Sequence, residues 1–120
     1  MMTVKELYEQ IGGSYDDAIS LMRKEERIRK YLGMFLRDGS YQKLSEAMEA
    51  DDMEAAFNAA HTLKGVCANL SFTRLFDHVS GLTEDLRHGR DIAHAKEVWP
   101  TVTARYHETM EALERFLAEN

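Results

Sequence analysis

Apolar residues recur at helical spacing almost from end to end of this chain, and no stretch alternates apolar and polar residues as a half-buried strand would. That pattern restricts the fold to packed helices, and capping chemistry sets the boundaries. Thr3-Val4-Lys5-Glu6 is a capping-box pattern, in which a hydroxyl and a carboxylate satisfy free amides, and its helix stops at Gly12-Gly13. Ser14-Tyr15-Asp16-Asp17 reads as a second cap, opening a short helix to about Met22. Glu25 to Arg37 follows, with Ile28, Tyr31, Leu32, Phe35 and Leu36 on one face and Gly39 as its stop. Ser40 opens a helix that turns Leu44, Ala47 and Met48 inward. Asp51-Asp52 then makes a turn and caps a helix from Met53 to about Leu70. Ser71 or Thr73 caps the next, with Leu75, Val79, Leu82 and Leu86 inward and Gly89 at its close. The last helical region runs from about Asp91 to Ala118, with Val102, Tyr106, Met110, Leu113 and Leu117 as its stripe. Pro100 either kinks it or begins a separate helix.

The connections are short, so successive long helices are antiparallel neighbours. The expected fold is all-α: an up-and-down antiparallel four-helix bundle, with the short N-terminal helices covering one end. Residues 1–120 suit a single domain, with no repeat, low-complexity segment or linker. Length and a Met start favour a free-standing protein.

Charge and composition exclude several functions. A net charge of −6 argues against nucleic acid as partner, because phosphate backbones are bound by clustered Lys and Arg. No apolar run approaches the roughly 20 residues that span a bilayer, and Met1 to Glu9 has no signal-peptide core. The chain is therefore expected to be cytoplasmic and off the membrane. Cys67 is the single cysteine, which rules out an intrachain disulfide and a Cys-based zinc cluster. His78, His88, His94 and His107 show no zinc-binding spacing beside a Glu motif, so neither metal nor cofactor is expected. There is no Ser/His/Asp constellation and no Gly-rich phosphate loop.

The helix from Met53 to Leu70 carries the chemistry. On a wheel of about 100° per residue, Met53, Ala56, Ala60, Leu63, Cys67 and Leu70 fall within a third of a turn, the width of a core stripe. His61 lies about 130° from its centre and should face water. Lys64 and Gly65 lie one turn later on the same side, Ala68 continues the line, and Phe57 precedes it by a turn. A glycine inside an exposed helix costs about 0.5–1 kcal/mol relative to alanine, so Gly65 needs a compensating role. Access to His61 is one. Lys64 puts an ammonium where a phosphoryl group could sit. An isolated exposed histidine is usually just a solvated side chain, and so is a lone lysine; the combination carries the argument. Cys67, inside the stripe, reads as a small apolar core residue.

His61-Thr62-Leu63-Lys64-Gly65, with Ala59-Ala60 before it and Asn69-Leu70 after it, resembles the signature of histidine-containing phosphotransfer (HPt) domains. The resemblance extends to helix order and length over nearly the whole chain. It implies a four-helix bundle whose histidine accepts a phosphoryl group from a receiver-domain aspartate and passes it on. Carried over, it makes His61 the phosphoacceptor through Nε2, Lys64 the group that stabilises the phosphoryl, and Gly65 the room for the receiver. Phe57, Asn58 and Ala68 become docking residues on a shallow surface. The partners implied are a response-regulator receiver domain, a hybrid sensor histidine kinase, or both, with this chain a monomeric phosphocarrier that turns over no substrate alone. The sequence departs from the pattern after Gly65, where Val66, Cys67 and Ala68 replace the usual small or hydroxyl-bearing residues, and at Ser71, where glycine is usual. The helix end is therefore expected to differ slightly.

Histidine suits this task. Imidazole has a reference pKa of about 6.5, so near neutral pH it keeps a free lone pair and needs no strong base. The alternative is a binding module that docks a receiver or another helical partner while no phosphate moves. A metal-dependent enzyme has little support without a ligand cluster.

Overall fold

Among residues 1–119, which the computed structural model describes, seven α-helices follow one another. They are α1 (Val4–Ile11), α2 (Tyr15–Met22), α3 (Glu25–Leu36), α4 (Ser40–Glu49), α5 (Met53–Asn69), α6 (Thr73–Leu86) and α7 (Ile92–Glu119). A single 3-10 turn, Arg87–Gly89, joins α6 to α7. The bundle is α4 to α7. α5 packs between α4 and α6, and α6 packs on α7. Aromatic rings close the circle: Tyr41 of α4 stacks on Tyr106 of α7 at 3.9 Å between centroids, with Trp99 on its other neighbour side at 5.7 Å. Such pairs add to what area burial alone provides. No helix of the described residues is long and apolar enough to cross a membrane.

The inward residues are largely those the spacing selects. Leu44, Ala47 and Met48, then Leu75, Val79, Leu82 and Leu86, then Val102, Tyr106 and Leu113 are all buried. Tyr31 is not: it is 41% exposed, while Ile28, Leu32 and Phe35 are buried. The reason is that α3 lies against α2 and α7 on the outside of the bundle, so only a narrow stripe finds a partner. α7 runs unbroken through Pro100. The proline removes one helix hydrogen bond, but its exposed position leaves the orphaned carbonyl to water.

The junction between α5 and α6 differs from the expected caps. Neither Ser71 nor Thr73 caps α6; Phe72 holds the N-cap place without a side-chain bond. Ser71 instead takes a left-handed conformation, φ 58°, as the terminating residue of α5. Its amide donates to the Ala68 carbonyl at 3.1 Å and that of Phe72 to the Cys67 carbonyl at 3.0 Å, the double bond of a Schellman end. Serine here adopts the backbone that glycine would, at a cost of about 1–2 kcal/mol. Gly39 likewise ends nothing: α3 stops at Leu36, and Gly39 is the residue from which α4 starts.

The N-terminal helices cover this end of the bundle. The Tyr8 hydroxyl donates to the Leu70 carbonyl at 2.8 Å, the Ser14 amide to the Ser71 carbonyl at 2.9 Å, and the Arg74 amide to the Gly12 carbonyl at 3.1 Å. Phe72 sits edge-on to Phe35 at 5.1 Å and tilted against Tyr8 at 5.8 Å. The turn after α1 is thereby pressed onto the turn after α5. A Cβ on Gly13 would come within 2.8 Å of Tyr8 Cδ2 and 2.9 Å of the Ser71 carbonyl oxygen. Gly13→Ala should therefore destabilise the protein by about 1–3 kcal/mol, the usual cost of overpacking, measured by urea unfolding.

At the opposite end, His94 Nδ1 lies 2.6 Å from the Asp85 carboxylate, and this hydrogen bond raises the His94 pKa above the ordinary histidine value. A raised folded-state pKa means that the contribution is complete below the unfolded value of about 6.5 and fades as pH rises through the folded one. The stability gap between the protein and His94→Gln should be widest near pH 5 and shrink toward about pH 8; a gap that is flat across this range would count against the pair.

Candidate functional site

α5 owes its rotation to its apolar stripe. Ala56, Ala60, Leu63 and Cys67 are completely buried, and Leu70 nearly so. The Asp52 carboxylate caps its first turn, accepting from the Ala55 amide at 3.1 Å. With that face fixed inward, His61 is exposed, Asn58, Gly65 and Ala68 are exposed, and Phe57 and Lys64 are half-buried. All six residues thus lie on one side of one helix. The Thr62 hydroxyl turns back to the Asn58 carbonyl at 3.1 Å and leaves the imidazole alone.

The His61 ring makes no hydrogen bond among the described residues. Its one ring neighbour is Phe57, a turn earlier, at 5.9 Å between centroids and 21° between planes. Phe57 is covered in turn by Arg87, whose guanidinium carbon sits 4.9 Å from the ring centroid. Arg87 reaches there from the 3-10 turn and is held by Glu84, with Nη2 3.0 Å from one carboxylate oxygen. The hydrogen bond from Arg87, and then the charges of Arg87, Lys64 and Arg90, hold the Glu84 carboxyl below the usual carboxylate range. Three cations therefore bear on one carboxylate, and Arg87 connects it to the Phe57 ring that neighbours His61. Lys64 itself forms no direct ion pair within the described residues, and its charge acts on Glu84 only at longer range.

Arg87 and Glu84 were not singled out by sequence spacing. They lie more than twenty residues from His61, and only the antiparallel packing of α5 on α6 brings them alongside. The single local signal is phase: Leu86 is inward, so its neighbour Arg87 must sit at the edge of the α5 contact. Cys67 stays a core residue, its thiol pushed up to about 12 by burial.

Gly65 is distinct from Gly13. A Cβ at Gly65 would meet nothing within 4 Å. The fold gives no reason for its absence, and the space it leaves open borders His61. The arrangement can present a nucleophilic nitrogen, flanked by positive charge, to a large and blunt partner. Phosphate adds about two negative charges, and charge beyond a Debye length of about 8 Å is screened, so the neighbouring cations outweigh the overall excess of acid.

Fold and site together define a helical bundle that carries an open histidine face. Residues 30–116 match the Hpt domain family model, more than two thirds of the chain, and the chain belongs to that family. Hpt domains are phosphocarrier modules of phosphorelays rather than enzymes. Comparison with curated proteins and with solved structures finds no match. The matched stretch begins inside α3, so α1 and α2 precede it.

Because the helix has room for a methyl group at position 65, Gly65→Ala should raise stability by about 0.5–1 kcal/mol, the helix-propensity difference. Chemical unfolding would register the gain, and a loss of stability would show that the glycine answers an internal constraint after all.

Proposed function

We propose that His61 is the phosphoacceptor of a phosphorelay, taking a phosphoryl group from the aspartyl phosphate of a response-regulator receiver domain and passing it onward. The observation that carries this reading is the His61 imidazole: exposed, free of internal hydrogen bonds among the described residues, one turn from an ammonium without a direct ion pair and from an open glycine. Family membership supports it.

The step balances simply. The lone pair of one imidazole nitrogen, Nε2 by family resemblance, forms a bond to phosphorus. The bond from phosphorus to the receiver's carboxylate oxygen breaks, and the carboxylate leaves with its electron pair. The proton on the second ring nitrogen passes to water, giving a neutral phosphoimidazole ring. Reversal delivers the group to another receiver's carboxylate. Catalysis of this kind rests on positioning and charge. The chain supplies the nucleophile on a rigid helix, Lys64 and Arg87 as cations, and the gap at Gly65. The receiver, free or within a hybrid sensor histidine kinase, supplies the aspartate and its metal. Phe57 backs the imidazole, while Asn58 and Ala68 meet the partner. We take the carrier to act as a cytoplasmic monomer without turnover of its own.

Mixing the protein with a panel of phosphorylated receivers should place acid-labile, alkali-stable phosphate on it. His61→Gln should abolish the label while circular dichroism stays unchanged; a label that persists on the variant assigns the acceptor elsewhere. Lys64→Ala should slow transfer two- to fivefold, the rate equivalent of an exposed charge interaction of about 0.5–1 kcal/mol. Receiver binding that is indifferent to His61→Gln, with no label on the parent protein, would mark a docking module instead.

A further inference from the structure

α2 presents an apolar side chain that the fold does not use. Ala18 secures the helix to the core, with Ile19 and Met22 packed behind it. Leu21, by contrast, is 64% exposed, the most exposed large apolar side chain after Met1. Single exposed leucines are commonplace and mean little. This one lines a groove of about 360 Å³ whose other walls include Ala68 and Phe76, with Cys67 and Phe72 at its floor and Asp17 at its rim. On its far side a second groove, of about 420 Å³, runs to Tyr31 of α3 and Asn69 at the end of α5. Leu21 is thus a ridge between two clefts.

The groove is continuous with the His61 face. Ala68 is seven residues beyond His61, which places it about 10 Å along α5 and about 20° around it. A standard interface covers about 800 Å² per partner, equivalent to a disc of roughly 16 Å radius. A domain centred on His61 then covers Ala68, and Leu21 lines the same groove as Ala68. Asp17 is the charged residue lining the groove, while Arg27 lines the second cleft on the other side of Leu21. Lys64, Arg87 and Arg90 gather on the His61 side, whereas Asp16 and Asp17 occupy the first turn of α2.

We propose that α2 is a selectivity element for the receiver domain, with Leu21 entering the partner's apolar surface and Asp17 pairing with a basic residue beside it. This inference rests on the phosphotransfer reading of His61 and extends it to a helix outside the family-matched stretch. The receiver it fits has three features in a row: an acidic phosphorylation pocket over His61, an apolar patch over Ala68 and Leu21, and a basic side chain over Asp17. That polarity permits one orientation of docking and rejects receivers whose basic and acidic ends are exchanged.

The test uses the whole chain and a receiver domain, loaded with acetyl phosphate, that labels His61 in the panel assay. Leu21→Gln should raise KM for the phosphorylated receiver about tenfold and leave kcat within twofold, since burying a leucine is worth about one to two decades of affinity. Asp17→Asn should raise KM two- to fivefold and flatten its salt dependence. Labelling of either variant by phosphoramidate, a donor too small to touch α2, should equal that of the parent protein. Receiver KM unchanged in Leu21→Gln would overturn the role of α2 while leaving His61 as acceptor. A parent protein that sediments as a dimer, dissociated by Leu21→Gln with unchanged KM, would assign the groove to self-association instead. Failure of every receiver and of phosphoramidate to label His61 would remove both proposals together.

Discussion

Ala56, Ala60, Leu63, Cys67 and Leu70 wedge one face of α5 into the bundle, and the position of every candidate site residue follows from that contact. Rotating α5 by a single residue step, about 100°, would drive Lys64 or His61 toward the interior and lift Leu63 into water. Each large apolar side chain lost in this way forfeits about 1.5–3 kcal/mol, and a buried unpaired charge costs still more. The helix therefore has one rotational setting. Two of the stripe residues are alanine, which lets neighbouring helices approach closely, and the hydroxyl of Thr62 is drawn back to the backbone rather than out toward the imidazole.

Much of this was legible from residue order because it is local. Phase, stripe and the Asp52 cap of α5 all come from residues within a few turns of one another. So do the capping box at Thr3 and the start of α4 at Ser40. What escaped is non-local. Arg87 meets Phe57 only because a turn folds α6 back beside α5. Tyr31 falls away from the core because α3 has partners on one narrow side, which its own spacing cannot disclose. The left-handed Ser71 was hidden for another reason: serine rarely takes that backbone, and its cost is met here by bonds from a helix sixty residues earlier.

The two ends of the bundle are held by different physics. One is zipped through main-chain carbonyls and a cluster of aromatic rings, with glycine needed because the backbones touch. The other relies on side-chain charges, Asp85 with His94 and Glu84 with Arg87 and Arg90. The first arrangement is insensitive to salt, and the second is screened by it. His61 lies along α5 between them, within reach of the cations of the electrostatic end and on the same face as the apolar groove of the aromatic end.

The commitment of Glu84 to its arginines has a consequence for time rather than space. A carboxylate near a phosphorylated imidazole could deprotonate a water molecule and cut the nitrogen–phosphorus bond. Glu84 accepts from Arg87 through both oxygens and stands 3.8 Å from Arg90, and these contacts hold its carboxyl below the usual range, which makes it a weaker base toward water. On the proposed reading of His61, that weakened basicity removes one route by which a phosphorylated ring would lose its group to water, so the persistence of the signal would depend less on this carboxylate than on the arrival of a partner.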